Sequence, residues 1–172
     1  MLMIALLLQA AAPPGEVELS EGELRQMSMI AGSRQASAVE QARGLKGDAL
    51  ASVLTDALND RTRVIYHDGE GIFVEYTAPG GELRMWYPGK RGVVVGQWGV
   101  QHQKRKKKLV NACFHYRATT SAETGLFEPN ECVPPEQTLS AANVIREWRG
   151  DVFNLMTGRI PYVKSAMGMP TP

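Results

Sequence analysis

The sequence predicts an α+β fold in which an antiparallel β-meander of about five to seven strands is packed by two short helices and closed by one disulfide. Three observations indicate this class. Short β-rich segments alternate with Gly-rich and Pro-rich turns between residues 62 and 117, a helical apolar pattern precedes them, and the chain contains 2 cysteines. Because short links join antiparallel neighbours, the predicted sheet is a meander, either open or curled into a half-open barrel.

The first twelve residues have the pattern of a secretory leader. An apolar run from Met1 to Leu8 is followed by small residues up to Ala12, as in the hydrophobic region and cleavage site of a signal peptide. An N-terminal core helix is the alternative. We interpret residues 1–12 as a signal peptide, which predicts a periplasmic or secreted protein without a transmembrane segment after signal removal.

Residues 13–47 are predicted to form an N-terminal arm. Ser20 and Glu23 have the Ser-x-x-Glu spacing of a capped helix start, so Glu21–Ile30 is a candidate helix. Residues 32–47 are small and polar, with too few large apolar side chains to hold a core position. We therefore expect a linker or mobile arm there.

A single α+β domain is predicted over residues 48–165. Asp48 is a candidate N-cap for a helix at 48–59, where apolar residues recur at the spacing of one helical face. Strands are predicted at 62–67, 72–78, 82–88, 93–100 and 109–117.

The rest of the domain is predicted to continue the sheet and to add the second helix. A sixth strand is expected to bring Cys132 beside Cys113. Val144, Ile145 and Trp148 share a helical face, which predicts a helix at 140–149. After it we expect a short turn at 151–156, a last strand at 159–164 and a loose tail at 166–172.

The two cysteines, Cys113 and Cys132, are predicted to form a disulfide. In an oxidising compartment an even pair of cysteines is usually bonded, and closing this loop is expected to stabilise the fold by about 3 kcal/mol. Metal binding is the alternative, but only His115 lies at ligand spacing from either cysteine. No metal and no cofactor are therefore predicted.

Alternation along the strands separates an apolar face from a mixed one. Ile72, Val74 and Tyr76 are expected in the core. A mixed face of this kind is typical of a ligand-binding surface if the sheet curls toward it, and the alternative is a solvated outer face with a cross-strand Glu75–Arg84 pair. The candidate ligand-binding residues on this face are Phe73, Glu75, Arg84, Trp86, Asn111 and His115.

Five consecutive bases occupy the link before the fifth predicted strand: Lys104, Arg105, Lys106, Lys107 and Lys108. Like charges repel each other, so the run is expected at a solvated hairpin tip. Clustered cations also attract anionic groups, which makes an anionic surface a candidate partner. Nucleic acid is a disfavoured partner, because export separates the protein from it and no aromatic residue interleaves with the bases.

The sequence predicts no catalytic residues. Its three histidines, His67, His102 and His115, lie in separate elements, and no HExxH, GxSxG, Walker or dinucleotide motif occurs. The runner-up hypothesis is a small hydrolase that uses the mixed face, with His115 as general base and Glu75 as its orienting partner.

A set of short motifs occurs along the chain in this order: Asp68–Gly69, Glu75–Tyr76, Trp86–Gly89, Gln97–Trp98, Cys113–Tyr116, Glu131–Cys132 and Gly150–Phe153. The order resembles an uncharacterised family of small exported proteobacterial proteins over roughly residues 45–165. The most specific part of the likeness is the pair of cysteines in their aromatic and acidic contexts. The resemblance implies export and a disulfide, and it implies no catalytic residue.

These observations favour an exported soluble binding or interaction module of the cell envelope. Its expected partner is an envelope protein or a small ligand. The alternatives are the small hydrolase and a protein that docks on anionic surfaces through Lys104–Lys108.

Overall fold

The computed structural model has the predicted α+β architecture, with an antiparallel sheet of seven strands and one disulfide. It describes residues 16–67, 71–86, 92–103, 106–117, 130–141, 143–160 and 168–170. The predicted signal peptide at 1–12 lies outside these residues. None of the helices in the described ranges has the length and apolar character needed to cross a bilayer.

The five strands predicted between residues 62 and 117 and the sixth that carries Cys132 are confirmed, and each neighbouring pair in the sheet is antiparallel. The sheet contains β2 (Arg61–His67), β3 (Gly71–Thr77), β4 (Glu82–Trp86), β5 (Val94–Gln103), β6 (Lys106–Tyr116), β7 (Asn130–Val133) and β8 (Val144–Arg149). Their spatial order is β7-β6-β5-β4-β3-β2-β8, so β2 to β7 form the predicted meander. The turn after β3 has positive φ angles at Gly80 and Gly81, whereas the turns at 68–70 and 87–91 lie outside the described residues.

The seven-stranded sheet is curled into a half-barrel. Tyr116 on β6 reaches across the concave side to Glu75 on β3, although β5 and β4 lie between these strands in the sheet. At Gly96 on β5 a Cβ atom would lie 2.6 Å from the His115 carbonyl oxygen, so the backbones approach too closely there for any other residue. We call the concave side the inner face and the opposite side the outer face.

Helix α1 (Glu21–Ala42) begins at the predicted capping box. The Ser20 hydroxyl accepts a hydrogen bond from the Glu23 amide, and the Glu23 carboxylate accepts one from the Ser20 amide at 2.8 Å. The helix continues twelve residues past Ile30, so the prediction of a linker at 32–47 is wrong for residues up to Ala42. Among the described side chains of α1, Leu24 and Ala42 are buried, and the helix contacts β8 and β2. Tertiary packing of this kind supplies most of a helix's stability, so few large apolar residues are sufficient here.

Helix α2 (Gly47–Leu58) confirms the predicted helix at 48–59. Leu50, Leu54 and Leu58 form its buried stripe. The predicted N-cap is wrong, because the cap position is Lys46, without a side-chain hydrogen bond, and Asp48 lies in the first turn. In the sheet, α2 contacts β5 and β6, and Leu58 packs with inner-face residues, so the helix covers part of the inner face.

The predicted helix at 140–149 is wrong. Residues 144–149 form β8, which pairs with β2, and the nearby helix is α3 (Pro135–Ser140). Val144, Ile145 and Trp148 fit a helical spacing, but β-branched and aromatic side chains also favour strands. Pairing with β2 provides hydrogen-bond partners for a strand edge that would otherwise be unpaired, and this tertiary pairing favours the strand over the predicted helix.

The C-terminal predictions have mixed outcomes. The turn at 151–156 is present, because the Asp151 carboxylate accepts hydrogen bonds from the Leu155 and Met156 amides at 2.8 Å. Arg159 and Ile160 are not in a strand, and the rest of the predicted strand at 159–164 lies outside the described residues. The tail is ordered where it is described, since β9 (Gly168–Pro170) pairs with β1 (Glu16–Glu18) in a separate two-stranded sheet.

Both faces of the sheet centre are buried, and every residue of β3 is buried. The inner core holds Phe73, Met85 and Val94 in one cluster and Leu58, Leu83, Trp98, Ala112 and Phe114 in another. The outer core lies over β2, β3 and β4 and includes Leu24, Val64, Tyr66, Ile72, Val74, Tyr76, Trp86, Phe153, Leu155 and Met169.

The predicted disulfide between Cys113 and Cys132 is confirmed. The two cysteines are directly opposite each other on β6 and β7, with their Cα atoms 4.0 Å apart. Cys113 is buried and Cys132 is exposed. The bond therefore holds a four-residue edge strand to the rest of the sheet.

Candidate ligand-binding cleft

The inner face encloses an open cleft of about 400 Å³. One wall comes from β2, β3 and β8, and the other from β6, β7 and α3. These strands lie toward opposite edges of the sheet, so the cleft exists because the sheet is curled. The polar residues that line it are Arg63, His67, Glu75, Tyr116, Glu131, Gln137, Thr138, Ser140 and Asn143.

A ladder of alternating charges crosses the first wall. Arg63 on β2 lies between Glu75 on β3 and Glu147 on β8 in the strand register. Its Nε atom donates to a carboxylate oxygen of Glu147 at 2.9 Å, and its Nη2 atom donates to the carbonyl oxygen of Ala57 at 2.8 Å. Arg63 and Glu75 are both buried, at 7% and 6% exposure. Two fixed partners hold the guanidinium in place, as a preorganised site requires.

Tyr116 joins the two walls. Its hydroxyl donates to a carboxylate oxygen of Glu75 at 3.3 Å, and its ring packs against the inner cluster formed by Phe73, Met85 and Val94. Burial raises the pKa of Tyr116 well above its ordinary value, and the nearby carboxylates of Glu75 and Glu131 raise it further. The hydroxyl is therefore protonated at neutral pH and acts as a hydrogen-bond donor.

Glu75 is the buried acid of the cleft. Burial raises its pKa above the usual value of 4.5, the positive charge of Arg63 lowers it, the Tyr116 hydrogen bond also lowers it, and the negative charge of Glu131 raises it. The net direction is upward. The protonated acid, which can donate as well as accept a hydrogen bond, is thus favoured more strongly here than in water.

The second wall carries the more accessible polar groups. Glu131 on β7 and Gln137 on α3 are exposed, whereas Thr138 is buried and its hydroxyl donates to the Pro134 carbonyl oxygen at 3.0 Å. On the opposite side the rings of His67 and Phe73 form a T-shaped contact, with centroids 5.3 Å apart. The cleft therefore combines a buried acid and a half-buried phenol at its base with solvated groups at its mouth.

The sequence-predicted mixed face is divided between the two sides of the sheet. Glu75 pairs with Met85, whereas Arg84 pairs with Tyr76 and Trp86 pairs with Val74. Phe73 and Glu75 therefore lie on the inner face, and Arg84 and Trp86 lie on the outer face, where Trp86 is part of the outer core. The prediction that these four residues form one surface is wrong, because the register of β3 and β4 places residues of equal parity on the same side.

His115 and Asn111 are also separated from Glu75. His115 lies on the outer face, where its ring contacts Asn130 at 2.7 Å and Gln101 at 3.3 Å. The acid–base pair of His115 and Glu75 is therefore not formed. Asn111 lines a different cavity, at the far end of β6. Of the predicted ligand-binding residues, only Glu75 lines the cleft, with Phe73 behind it.

The basic run is at the predicted hairpin. Gln103 on β5 pairs with Lys106 on β6, and the two connecting residues, Lys104 and Arg105, lie outside the described residues. Lys106, Lys107 and Lys108 belong to the start of β6. Anion binding by this run stays a prediction. In the described part of the chain no group of three or more His, Cys, Asp or Glu side chains is arranged to hold a metal ion.

Several cleft residues were not singled out from the sequence. Arg63, His67 and Tyr116 lie in predicted strands, but no sequence motif marks them as ligand-binding residues. A partial signal did exist, because Glu131 precedes the cysteine that was expected to pair with Cys113. That pairing places Glu131 opposite Phe114, on the inner face.

Comparison with known proteins assigns neither a family nor a function to the chain. No family model matches the chain, and no curated protein and no solved structure is significantly similar to it.

Proposed function

We propose that this protein is an exported binding module whose ligand is a small polar molecule held in the inner cleft. The observation that carries the proposal is the burial of Arg63 and Glu75, beside the half-buried Tyr116, at the base of an open cavity. Burying charged groups is unfavourable unless they are paired and hydrogen-bonded. A fully apolar core would close the half-barrel at lower cost, so retention of these groups at the base of a cleft favours a role in recognition.

The cleft has the size and chemistry of a small-molecule site. Its volume of about 400 Å³ lies within the range of roughly 300–1,000 Å³ that is usual for such sites. Glu75 offers a titratable acid at the base, the Tyr116 oxygen offers an acceptor because its one proton is donated to Glu75, and Gln137 offers an amide at the mouth. A ligand with a hydroxyl or amide group and a small apolar part fits this lining best.

The proposed compartment is the periplasm or the cell exterior. The apolar leader at 1–12 and the disulfide between Cys113 and Cys132 both support export. Mass spectrometry of the protein taken from its own envelope fraction tests this part. A mature N-terminus after the leader and a bonded cysteine pair are expected, and an intact leader with free thiols would contradict the proposal.

The binding proposal is tested by filling the cleft without touching its base. Gln137→Trp places a large side chain at the mouth, and Gln97→Trp on the exposed outer face is the matched control. A mixture of small alcohols and amides is screened against both variants by saturation-transfer NMR. Compounds that bind the wild type and the control but not Gln137→Trp are the expected result. If the hits bind all three proteins equally, the cleft is not the site.

The small hydrolase has weaker support. Its proposed base, His115, is bonded to Asn130 on the outer face, and Glu75 lies on the inner face. The His115→Ala variant is therefore expected to leave any activity of the cleft unchanged.

A further inference from the structure

A second cavity lies between the end of α1, the start of α2, β6 and α3. Its volume is about 590 Å³, and it is separate from the inner cleft. Its walls are mainly apolar and include Val39, Ala42, Leu50, Leu109, Val110 and Leu139. We call it the helix pocket.

The helix pocket leaves apolar surface in contact with solvent. Leu50, Val110 and Leu139 are buried and belong to one core cluster, but Leu109 at the edge of the pocket is 44% exposed. Covering large apolar side chains at an open pocket with an apolar group removes them from water, which lowers the free energy. The walls therefore fit an aliphatic chain better than a polar molecule.

The charges at the rim are mainly positive. In the described part of the chain the charged residues that line the pocket are Arg43, Lys46 and Glu136, two cations and one anion. Arg43 is paired with Glu40 at 2.9 Å, but both side chains are more than 60% exposed, and such surface pairs contribute little.

We propose that the helix pocket binds a long-chain fatty acid, with the alkyl chain between α1, α2 and β6 and the carboxylate at the cationic rim. The apolar walls select the chain, and Lys46 and Arg43 select the sign of the head group. This site does not depend on the inner cleft, because the residues used here do not line it.

The test uses dodecanoate below its micelle concentration, titrated into the full mature protein by calorimetry. If the chain is buried, decanoate binds about fifteenfold more weakly, since each methylene contributes about fourfold. Leu109→Glu is expected to weaken dodecanoate binding at least tenfold. Ile160→Glu, at an apolar residue that is 38% exposed and does not line the pocket, is the matched control and should bind normally.

The head group is tested separately. Lys46→Glu should weaken dodecanoate binding about threefold or more, as expected for an exposed charge, without weakening that of dodecyltrimethylammonium. Equal affinity for octanoate and dodecanoate, or normal binding to Leu109→Glu, would overturn the proposal. So would binding to phosphatidylglycerol vesicles in the absence of any binding of dodecanoate, because this result would indicate surface docking instead of a chain in the pocket.

Discussion

Removing the disulfide by the double substitution Cys113→Ala/Cys132→Ala should lower the free energy of unfolding by about 3 kcal/mol. The cysteines are separated by 19 positions, and the loss of loop-closure entropy in the unfolded chain for that separation gives this magnitude. For a domain of this size the midpoint of thermal unfolding is expected to fall by about 6–12 °C. The native sheet should persist, because β7 still pairs with β6 through its backbone.

The assay is urea unfolding of the oxidised wild type, the wild type in dithiothreitol and the double variant. The reduced wild type and the variant should have similar midpoints, both below that of the oxidised protein. Cys132→Ala alone controls for packing, because Cys132 is exposed and its loss removes the bond without opening a core cavity. A double variant within about 0.5 kcal/mol of the oxidised wild type would refute the loop-entropy reasoning.

Two further predictions concern single residues of the sheet. Because burial raises the pKa of Glu75, the folded protein binds a proton there more tightly than the unfolded chain does. The contribution of Glu75 to the free energy of unfolding is therefore fully present below about pH 4 and is lost as the pH rises through the folded pKa. Glu75→Gln should therefore gain stability relative to the wild type between pH 4 and pH 8 in urea unfolding, and parallel pH profiles would contradict this. Gly96→Ala should cost about 1–3 kcal/mol, because its Cβ meets the His115 carbonyl oxygen at 2.6 Å, whereas Gly99→Ala meets nothing within 4 Å and should be nearly neutral. Equal thermal midpoints for the two alanine variants would show that the β5–β6 approach is not as tight as described.

Local sequence patterns were sufficient to predict the elements that depend only on residues adjacent in the chain. Alternating apolar and polar residues and short glycine turns predicted β2 to β6, because a tight turn places two consecutive strands side by side, where they pair. The leucines at 50, 54 and 58 predicted α2, since their spacing has meaning only on a helix. The pattern at 144–149 fits a helix as well as a strand. Its strand conformation depends on pairing with the edge of β2, which is distant in sequence.

The candidate site could be predicted only in part, because it depends on register and curvature. Alternation correctly separated Phe73 and Glu75 from Ile72, Val74 and Tyr76 within one strand. It could not relate one strand to the next, since a shift of one residue in pairing exchanges the two faces. The pairing of Val74 with Trp86 therefore decided that Trp86 lies in the outer core instead of beside Glu75.

The sequence by itself determined the fold class, the meander and the disulfide, because hydrophobic period, turn chemistry and a single pair of cysteines act over short distances or leave one solution. Only the tertiary structure decided where a ligand can be held. The curl of the sheet brings Tyr116 on β6 to Glu75 on β3 across two intervening strands, and residues of α1, α2, α3 and β6 together form the helix pocket. Both cavities arise from contacts between residues that are far apart in the chain, and no local sequence pattern specifies how close such residues lie in space.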